Sequence, residues 1–480
     1  MPSTRGRLAL SAAVLLLAGP TAPPALSGPE DPTAALRKTC DKGNAADCRT
    51  VAGMFARGEG VTKDPGKAAS FQKKACEAGE MHSCFDLAAL HRTGEGVSKD
   101  LVRTVKLLDQ SCTGGLPEGC GELGLLYESG KEIERDLGRA AGYLEKGCEG
   151  GGAAACTRLG AMYQDGARLK KDLGKAALYY DKGCSGGDTV ACPRAGLLYA
   201  AGEGVTKDVA KAASYFKKGC EASQADGCYR LGLAHQRGEG VPRDTARALA
   251  LFTQGCDNGV ADACHGLGLL YRDGVGVARD ATKSTALLRK ACEGGSATGC
   301  YELGTVTKGT AKSAEMFEKA CNGGDSRGCY GLGVLYTESN AVARDLVRAS
   351  ALFKQACDGG SLQGCSRLAP MLEFGEPIPR DLPRAMELYK KTCEGGMHED
   401  CYKLAKMHLR GTTMPRDINQ AVPLLEKACS GDIAAACRDY GFMLDRGDGM
   451  TRDRAKGYAL LKKACAAGDK PACDQTRFAR

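Results

Sequence analysis

Apolar positions along the chain follow the spacing of short amphipathic helices of two alternating kinds. In one kind, here called helix A, Leu123, Leu126 and Tyr127 are spaced i, i+3 and i+4, which places them on one face of a helix. In the other kind, helix B, Ala68 and Ala69 lie on the inward face and lysines follow on the outward face. The pattern predicts a unit of helix A, loop, helix B and turn.

The cysteines mark the period of this unit. The chain has 26 Cys, and they form thirteen C-x7-C pairs that follow one another at 36 residues eleven times and at 29 residues once. The pairs are Cys40 and Cys48, Cys76 and Cys84, Cys112 and Cys120, Cys148 and Cys156, Cys184 and Cys192, Cys220 and Cys228, Cys256 and Cys264, Cys292 and Cys300, Cys321 and Cys329, Cys357 and Cys365, Cys393 and Cys401, Cys429 and Cys437, and Cys465 and Cys473. A fixed period of this length is the signature of a repeat solenoid. We predict an all-α fold, a right-handed α/α solenoid of about twelve 36-residue hairpins over residues 40–473.

Glycine and aspartate mark the helix ends within each unit. Glycines such as Gly58 follow helix A, as a C-terminal glycine should. An aspartate then precedes helix B, and Pro65 follows Asp64 at the first helical position. These aspartates are at 64, 100, 136, 172, 208, 244, 280, 345, 381, 417 and 453. We interpret them as N-caps and not as catalytic carboxylates.

The predicted array has atypical parts at its ends and in one unit. Residues 28–39 resemble part of a helix B and residues 474–480 part of a helix A, as expected of capping half-repeats. The unit at 300–321 lacks seven residues, at the end of helix A and in the loop. We expect either a local bend there or a loop deletion without functional meaning.

The N-terminal residues 1–27 have the features of a signal peptide. Arg5 and Arg7 precede the apolar run Leu8–Ala18, which is too short to span a membrane, and small residues before Ser27 suit cleavage. The next cysteine is Cys40, so a lipid anchor is not expected. We therefore expect a monomer without a membrane anchor in the periplasm or outside the cell, where disulfides persist.

Composition narrows the classes of partner. Hydrophobic residues make up 43% and charged residues 26% of the 480-residue chain, which is typical of a folded protein. The net charge of +8 comes from 66 basic and 58 acidic residues, so the chain lacks the strong basic excess of a nucleic-acid-binding protein. We expect a protein or peptide partner and no nucleic acid.

Two disulfide schemes fit a stack of helical hairpins. One joins the two cysteines of each C-x7-C pair, and the other joins the two helices of one hairpin, such as Cys48 with Cys76. The second leaves Cys40 and Cys473 without partners, and its spacing changes in the short unit, so we favour the first. Zinc and thiol-exchange spacings such as C-x2-C are absent, and we expect no metal and no cofactor.

Two smaller sets of residues recur within helix A. Glycine is common four residues after its cysteine, as at Gly124 and Gly196, which predicts a close helix contact. His91, His235 and His408 occupy a position that is tyrosine in other units, and we interpret them as core or edge substitutions.

These motifs resemble the Sel-1-like repeat superfamily, which is related to tetratricopeptide repeats. The segment 195–212 reads AGLLYAAGEGVTKDVAKA and carries the signature, and the resemblance covers Cys40 to Cys473. It is closest to the cysteine-rich Hcp-type subgroup of exported bacterial proteins. The resemblance implies a non-catalytic scaffold that binds other proteins, while some members of the subgroup are labelled beta-lactamases or penicillin-binding proteins.

The beta-lactamase alternative has little support in the motifs. S-x-x-K occurs at Ser70 with Lys73 and at Ser214 with Lys217, but the companion S-D-N and K-T-G motifs are absent. We therefore assign no catalytic residue.

A candidate binding surface follows from the second residue after the helix-A cysteine, which is usually polar and which we call the slot residue. The slot residues are Thr50, Asp86, Glu122, Arg158, Arg194, Arg230, Gly266, Glu302, Gly331, Arg367, Lys403 and Asp439. Equivalent positions of successive repeats lie side by side in a solenoid, so we predict a groove in which Arg158, Arg194 and Arg230, with Arg367 and Lys403 farther along, bind acidic segments. The alternative is an ordinary solvated helix face.

Overall fold

The computed structural model describes residues 31–166, 169–307, 309–338, 340, 342–411 and 415–478. The predicted signal peptide, residues 1–27, lies outside the described residues, as do residues 28–30 and 479–480 of the predicted caps. The described residues form 26 α-helices and no strand. The all-α prediction is confirmed.

Helices of the two predicted kinds alternate along the chain. Helices B are α1 (Ala34–Cys40), α3 (Pro65–Glu77), α5 (Leu101–Thr113), α7 (Leu137–Glu149), α9 (Leu173–Ser185), α11 (Val209–Glu221), α13 (Thr245–Asp257), α15 (Ala281–Glu293), α17 (Ala311–Asn322), α19 (Leu346–Asp358), α21 (Leu382–Glu394), α23 (Ile418–Ser430) and α25 (Arg454–Ala466). Helices A are α2 (Ala45–Arg57), α4 (Met81–Thr93), α6 (Pro117–Ser129), α8 (Ala153–Asp165), α10 (Ala191–Ala201), α12 (Ala225–Arg237), α14 (Ala261–Asp273), α16 (Ala297–Val306), α18 (Ser326–Glu338), α20 (Leu362–Phe374), α22 (His398–Arg410), α24 (Ala434–Arg446) and α26 (Lys470–Phe478). Eleven pairs of a helix A and the following helix B pack as hairpins, namely α2 with α3 to α6 with α7 and α10 with α11 to α24 with α25.

The chain divides into two compact units, which we describe separately. One unit comprises Met1–Asp172 with Ser185–Gly187, and the other comprises Leu173–Cys184 with Asp188–Arg480. Within each unit helices pack against the next along the chain, as α6 packs against α7 and α14 against α15. Some helices A also contact the next helix A, as α6 contacts α8 and α14 contacts α16. No helix in the described part of the chain is long and apolar enough to cross a membrane.

The aspartate before helix B caps that helix and also closes the hairpin loop. The Asp64 carboxylate accepts a hydrogen bond from the backbone N–H of Lys67 at 2.9 Å, which satisfies a free donor of the first turn. The backbone N–H of Asp64 donates in turn to the carbonyl of Phe55 in helix A. The same side-chain cap forms at Asp100, Asp136, Asp208, Asp244, Asp280, Asp345, Asp381, Asp417 and Asp453. The capping prediction is confirmed at these positions.

The core of a hairpin contains one large side chain of helix B that packs against a small residue of helix A. Leu144 of α7 is 1% exposed and lies against Gly124 of α6, where a Cβ atom would be 2.7 Å from the Leu144 Cγ. Phe216 takes the same place against Gly196. The close helix contact predicted from these glycines is confirmed.

All thirteen C-x7-C pairs are disulfide-bonded, with Cα–Cα distances of 4.4 to 4.8 Å. Each bond joins the end of a helix B to the start of the next helix A, so it links neighbouring hairpins rather than the two helices of one hairpin. The favoured scheme is confirmed. Disulfides in this number indicate an oxidising environment.

The short unit keeps its hairpin with less chain. Helix α16 ends at Val306 after 10 residues, and α17 begins at Ala311 with Thr310 as its cap in place of aspartate. Its neighbours α14 and α18 both contact α16 directly. The deletion therefore shortens the connection while the row of helices A continues past it.

Candidate binding surface

Slot residues line clefts beside helices A. In the first compact unit, which ends at Asp172 apart from residues 185–187, one cavity of about 650 Å³ is lined by Thr50 and Asp86. Another cavity there, of about 500 Å³, is lined by Glu122 and Arg158. In the second unit, Arg230 lines a cavity of about 140 Å³. Five of the twelve slot residues, Thr50, Asp86, Glu122, Arg158 and Arg230, thus line a cavity.

Arg158 does not present a free positive charge in its cleft. Its guanidinium forms two hydrogen bonds with the carboxylate of Glu128, which is 4% exposed. A two-point contact between guanidinium and carboxylate is among the stronger ion pairs in proteins. Arg158 compensates a buried charge at the end of α6, and sequence reasoning missed Glu128 because it lies 30 residues earlier.

Three other basic slot residues also have carboxylate partners. Arg230 is bonded to Asp226 at 2.7 Å, one turn earlier on α12. Arg367 contacts Glu338 at 2.8 Å, and Lys403 contacts the buried Asp400 at 3.0 Å. The charge at these positions is therefore partly compensated within the protein.

Arg194 differs from the other basic slot residues. It is exposed, and its guanidinium lies 5.8 Å from the ring centroid of Tyr180. None of the described ion pairs includes Arg194. A guanidinium held over an aromatic ring keeps its N–H edges available to a carboxylate.

The hydroxyls of the two S-x-x-K serines are hydrogen-bonded within their own helices. The Ser70 hydroxyl donates to the backbone carbonyl of Lys67 at 2.8 Å, and the Ser214 hydroxyl donates to that of Lys211 at 2.7 Å. Lys217, the lysine of the second motif, has a carboxylate 3.7 Å away at Glu221. These contacts are those of exposed helix residues and do not form a serine-lysine pair.

Two of the three histidines close the loops of their hairpins. The Nδ1 atoms of His91 and His235 are each 3.2 Å from a backbone carbonyl seven residues later, that of Ser98 and that of Pro242. Both histidines are buried, so the interpretation as core or edge substitutions is confirmed for them. In the described part of the chain, no group of three or more His, Cys, Asp or Glu is placed to hold a metal ion.

The family model for the Sel1 repeat matches the chain along most of its length. The matched segments are 51–80, 82–116, 117–152, 153–188, 190–223, 225–260, 261–296, 298–325, 326–361, 362–397, 398–432 and 434–469. The chain belongs to the Sel1 repeat family. The resemblance predicted from the sequence is confirmed, and Sel1 repeats generally mediate contacts between proteins.

Two of the solved structures that are similar to this chain share its fold. A protective antigen of uropathogenic Escherichia coli with an SLR fold is 22% identical, with 93% of this chain and 89% of that chain covered and a TM-score of 0.58. A Sel1 repeat protein from Oxalobacter formigenes is 24% identical, with 63% and 89% covered and a TM-score of 0.51. Helicobacter pylori cysteine rich protein B is 31% identical over 28% of this chain and 97% of its own, with a TM-score of 0.23. No curated protein matches the chain.

Proposed function

We propose that this Sel1 repeat protein is an exported, non-catalytic scaffold that binds a protein or peptide partner. The basic slot residues of its helices A would bind acidic segments of that partner. The observation that carries the proposal is that the basic slot residue Arg230 lines a cavity beside α12, while Arg194 is exposed and none of the described ion pairs includes it. The thirteen disulfides support an extracytoplasmic location, because such bonds persist in oxidising compartments. The engaged hydroxyls of Ser70 and Ser214 support a role without catalysis.

Arg194 and Arg230 are the residues we expect to matter most in the second unit. Arg194 has no described carboxylate partner, and the Arg230 pair with Asp226 is half-exposed and can exchange with a ligand carboxylate. Pairs of this exposed kind contribute about 0 to 1 kcal/mol, so a ligand that offers two carboxylates can displace them.

The test uses the oxidised protein from residue 28 and a fluorescein-labelled peptide of alternating glutamate and glycine. Replacing both Arg194 and Arg230 with alanine is expected to weaken binding at least tenfold by fluorescence anisotropy. The matched control is Arg247→Ala with Arg289→Ala, which removes the same charge from exposed positions of helices B and is expected to change binding less than twofold. Equal losses in the two double variants would show a general charge effect and contradict the groove.

A further inference from the structure

Tyrosines at one position of helix B fill the space beside the preceding helix B, and they stop at α13. Five residues before the helix-B cysteine, α9 and α11 have Tyr179 and Tyr215, whereas α13 has Leu251. The Tyr215 hydroxyl donates to the carboxylate of Asp181 on α9. The residue of α11 at the position of Asp181 is Lys217. Both members of the tyrosine-carboxylate contact are therefore replaced between α11 and α13.

A cavity of about 540 Å³ lies at this break in the second unit. It is lined mainly by apolar residues of α11, α12 and α13, including Ala213 and Leu251. The equivalent residues one hairpin earlier are Ala177 and Tyr215, so a ring accompanies the alanine there and a shorter side chain accompanies it here. The cavity is as large as pockets that bind ligands, which measure roughly 300 to 1,000 Å³.

His235 contributes a buried acceptor to the cavity wall. It is 7% exposed, and its Nδ1 lies 3.2 Å from the Pro242 carbonyl oxygen. A carbonyl only accepts, so Nδ1 carries the hydrogen and Nε2 of the neutral ring is an acceptor. None of the described hydrogen bonds includes Nε2, and this atom is not among the fully enclosed polar atoms that lack a partner, so a ligand in the cavity can reach it. An occupant that displaces water from Nε2 must supply an N–H or O–H donor.

The charges of the cavity wall lie at its mouth. The polar residues of the wall other than His235 and the disulfide-bonded Cys220 are all exposed, and they are Ser214, Lys217, Glu221, Arg247 and Gln254. The Ser214 hydroxyl donates to a carbonyl of its own helix, and Lys217 is 3.7 Å from Glu221. The buried part of the wall is thus uncharged, which favours a neutral occupant with an apolar body and one donor.

We propose that this cavity binds the side chain of a tyrosine in a partner peptide. The ring would fill the space that Tyr215 fills one hairpin earlier, and the phenol hydroxyl would donate to His235 Nε2. The site is independent of the proposed groove for acidic segments, because no slot residue lines it and it selects a neutral ring rather than a carboxylate.

The first test compares four fluorescein-labelled pentapeptides, Gly-Ser-X-Ser-Gly, in which X is tyrosine, O-methyltyrosine, phenylalanine or alanine. The two middle peptides keep the ring and lack the donor. We expect the tyrosine peptide to bind the oxidised protein from residue 28 roughly fivefold more tightly than either of them, and still more tightly than the alanine peptide, by fluorescence anisotropy. Equal binding of the tyrosine and phenylalanine peptides, or no binding, would overturn the proposal.

A substitution at the cavity wall locates the site. Ala250→Leu extends a side chain into the cavity, and leucine is already present at the same position of α9 as Leu178. We therefore expect an unchanged melting temperature and at least tenfold weaker binding of the tyrosine peptide. The matched control is Ala286→Leu, at the equivalent exposed position of α15, which should change binding less than twofold. Wild-type affinity in Ala250→Leu, or equal losses in the two variants, would contradict the site.

Leu251→Tyr provides a second test if Ala250→Leu does not fold. It restores the tyrosine of α9 and α11, so it should fill the cavity and weaken binding of the tyrosine peptide at least tenfold, and wild-type affinity would overturn the proposal. The peptide of alternating glutamate and glycine should bind both variants within twofold of the wild type, so the two binding sites can fail separately. A wild-type dimer in sedimentation that Ala250→Leu dissociates would show that a second copy of this chain fills the cavity, and would also overturn the proposal.

Discussion

At the residue scale, the tight contact between helices depends on the absence of a single carbon atom. A Cβ atom at Gly124 would lie 2.7 Å from Leu144 Cγ and 3.1 Å from the Ala140 carbonyl oxygen. Alanine normally favours a helix over glycine by about 1 kcal/mol, but overpacking a core costs about 1 to 3 kcal/mol. We expect Gly124→Ala to lower the free energy of unfolding by about 1 kcal/mol, measured by denaturant titration of the oxidised protein.

Gly142 provides the matched control for this prediction. It lies inside α7, the partner helix, and a Cβ atom there would have no neighbour within 4 Å. Gly142→Ala should therefore raise the free energy of unfolding by about 0.5 to 1 kcal/mol through helix propensity alone. If both variants were stabilised, packing would not be the reason for glycine at position 124.

Residue roles that repeat could be predicted from the sequence, and roles that occur once could not. The Asp64 cap depends on one side chain and the amide three residues on, so local spacing was enough to predict it. The partner of Arg158 depends on which of many carboxylates a long side chain reaches, and Glu128 lies in the preceding repeat.

At the scale of elements, a tyrosine joins consecutive helices B. The Tyr143 hydroxyl of α7 donates to the Asp109 carboxylate of α5 at 2.8 Å. Burial, with the hydrogen bond to Asp109 as the next cause, raises the pKa of Tyr143 to about 12 from its usual value of 10.0. The folded state thus binds this proton more tightly than the unfolded state. The resulting stability is fully present below about pH 10 and is lost as the pH rises through about 12.

Tyr143→Phe is expected to lower the free energy of unfolding at neutral pH by about 1.5 kcal/mol, because a hydrogen bond to a charged group is lost. The absorbance at 295 nm follows tyrosinate formation. The titration of the wild type minus that of the variant should show one group that ionises with a pKa of about 12. Tyr127→Phe serves as the control for the unfolding measurement at neutral pH. The described contact of the Tyr127 hydroxyl is with Arg139 and not with a carboxylate. A difference titration centred near 10 would mean that the bond to Asp109 does not form in solution.

At the scale of the whole molecule, the fold could be predicted because nearly every repeat carries the same sequence features at the same positions. The period of the cysteines, the Asp caps and the core glycines agree with one another in nearly every unit, and such agreement is what specifies a fold. The division into two compact units has no counterpart in the repeat pattern, which continues through residues 173–187 without a change of spacing. The candidate site was harder to predict, because neighbouring carboxylates decide which slot charges remain available.

The disulfides are expected to stabilise the molecule locally, because each one links only adjacent hairpins. The bond between Cys112 and Cys120 closes a loop of about 9 residues, which on the chain-entropy model contributes at most about 2.6 kcal/mol. In a repeat protein, stability is approximately a sum of unit and nearest-neighbour contributions. Replacing both cysteines with alanine should therefore speed amide hydrogen exchange in α5 and α6, by up to roughly 80-fold, and leave α22 to α24 unchanged.

The reciprocal variant distinguishes this local effect from a global one. Replacing Cys429 and Cys437 with alanine should speed exchange in α23 and α24 and leave α5 and α6 protected, because that bond joins only those later helices. Mass spectrometry of peptic peptides can follow both regions in one experiment. If either variant lost protection along the whole chain, unfolding would be cooperative over the whole chain, and the disulfides would act on one global equilibrium. Protection lost only beside the missing bond would show that each disulfide stabilises only the hairpins that it joins.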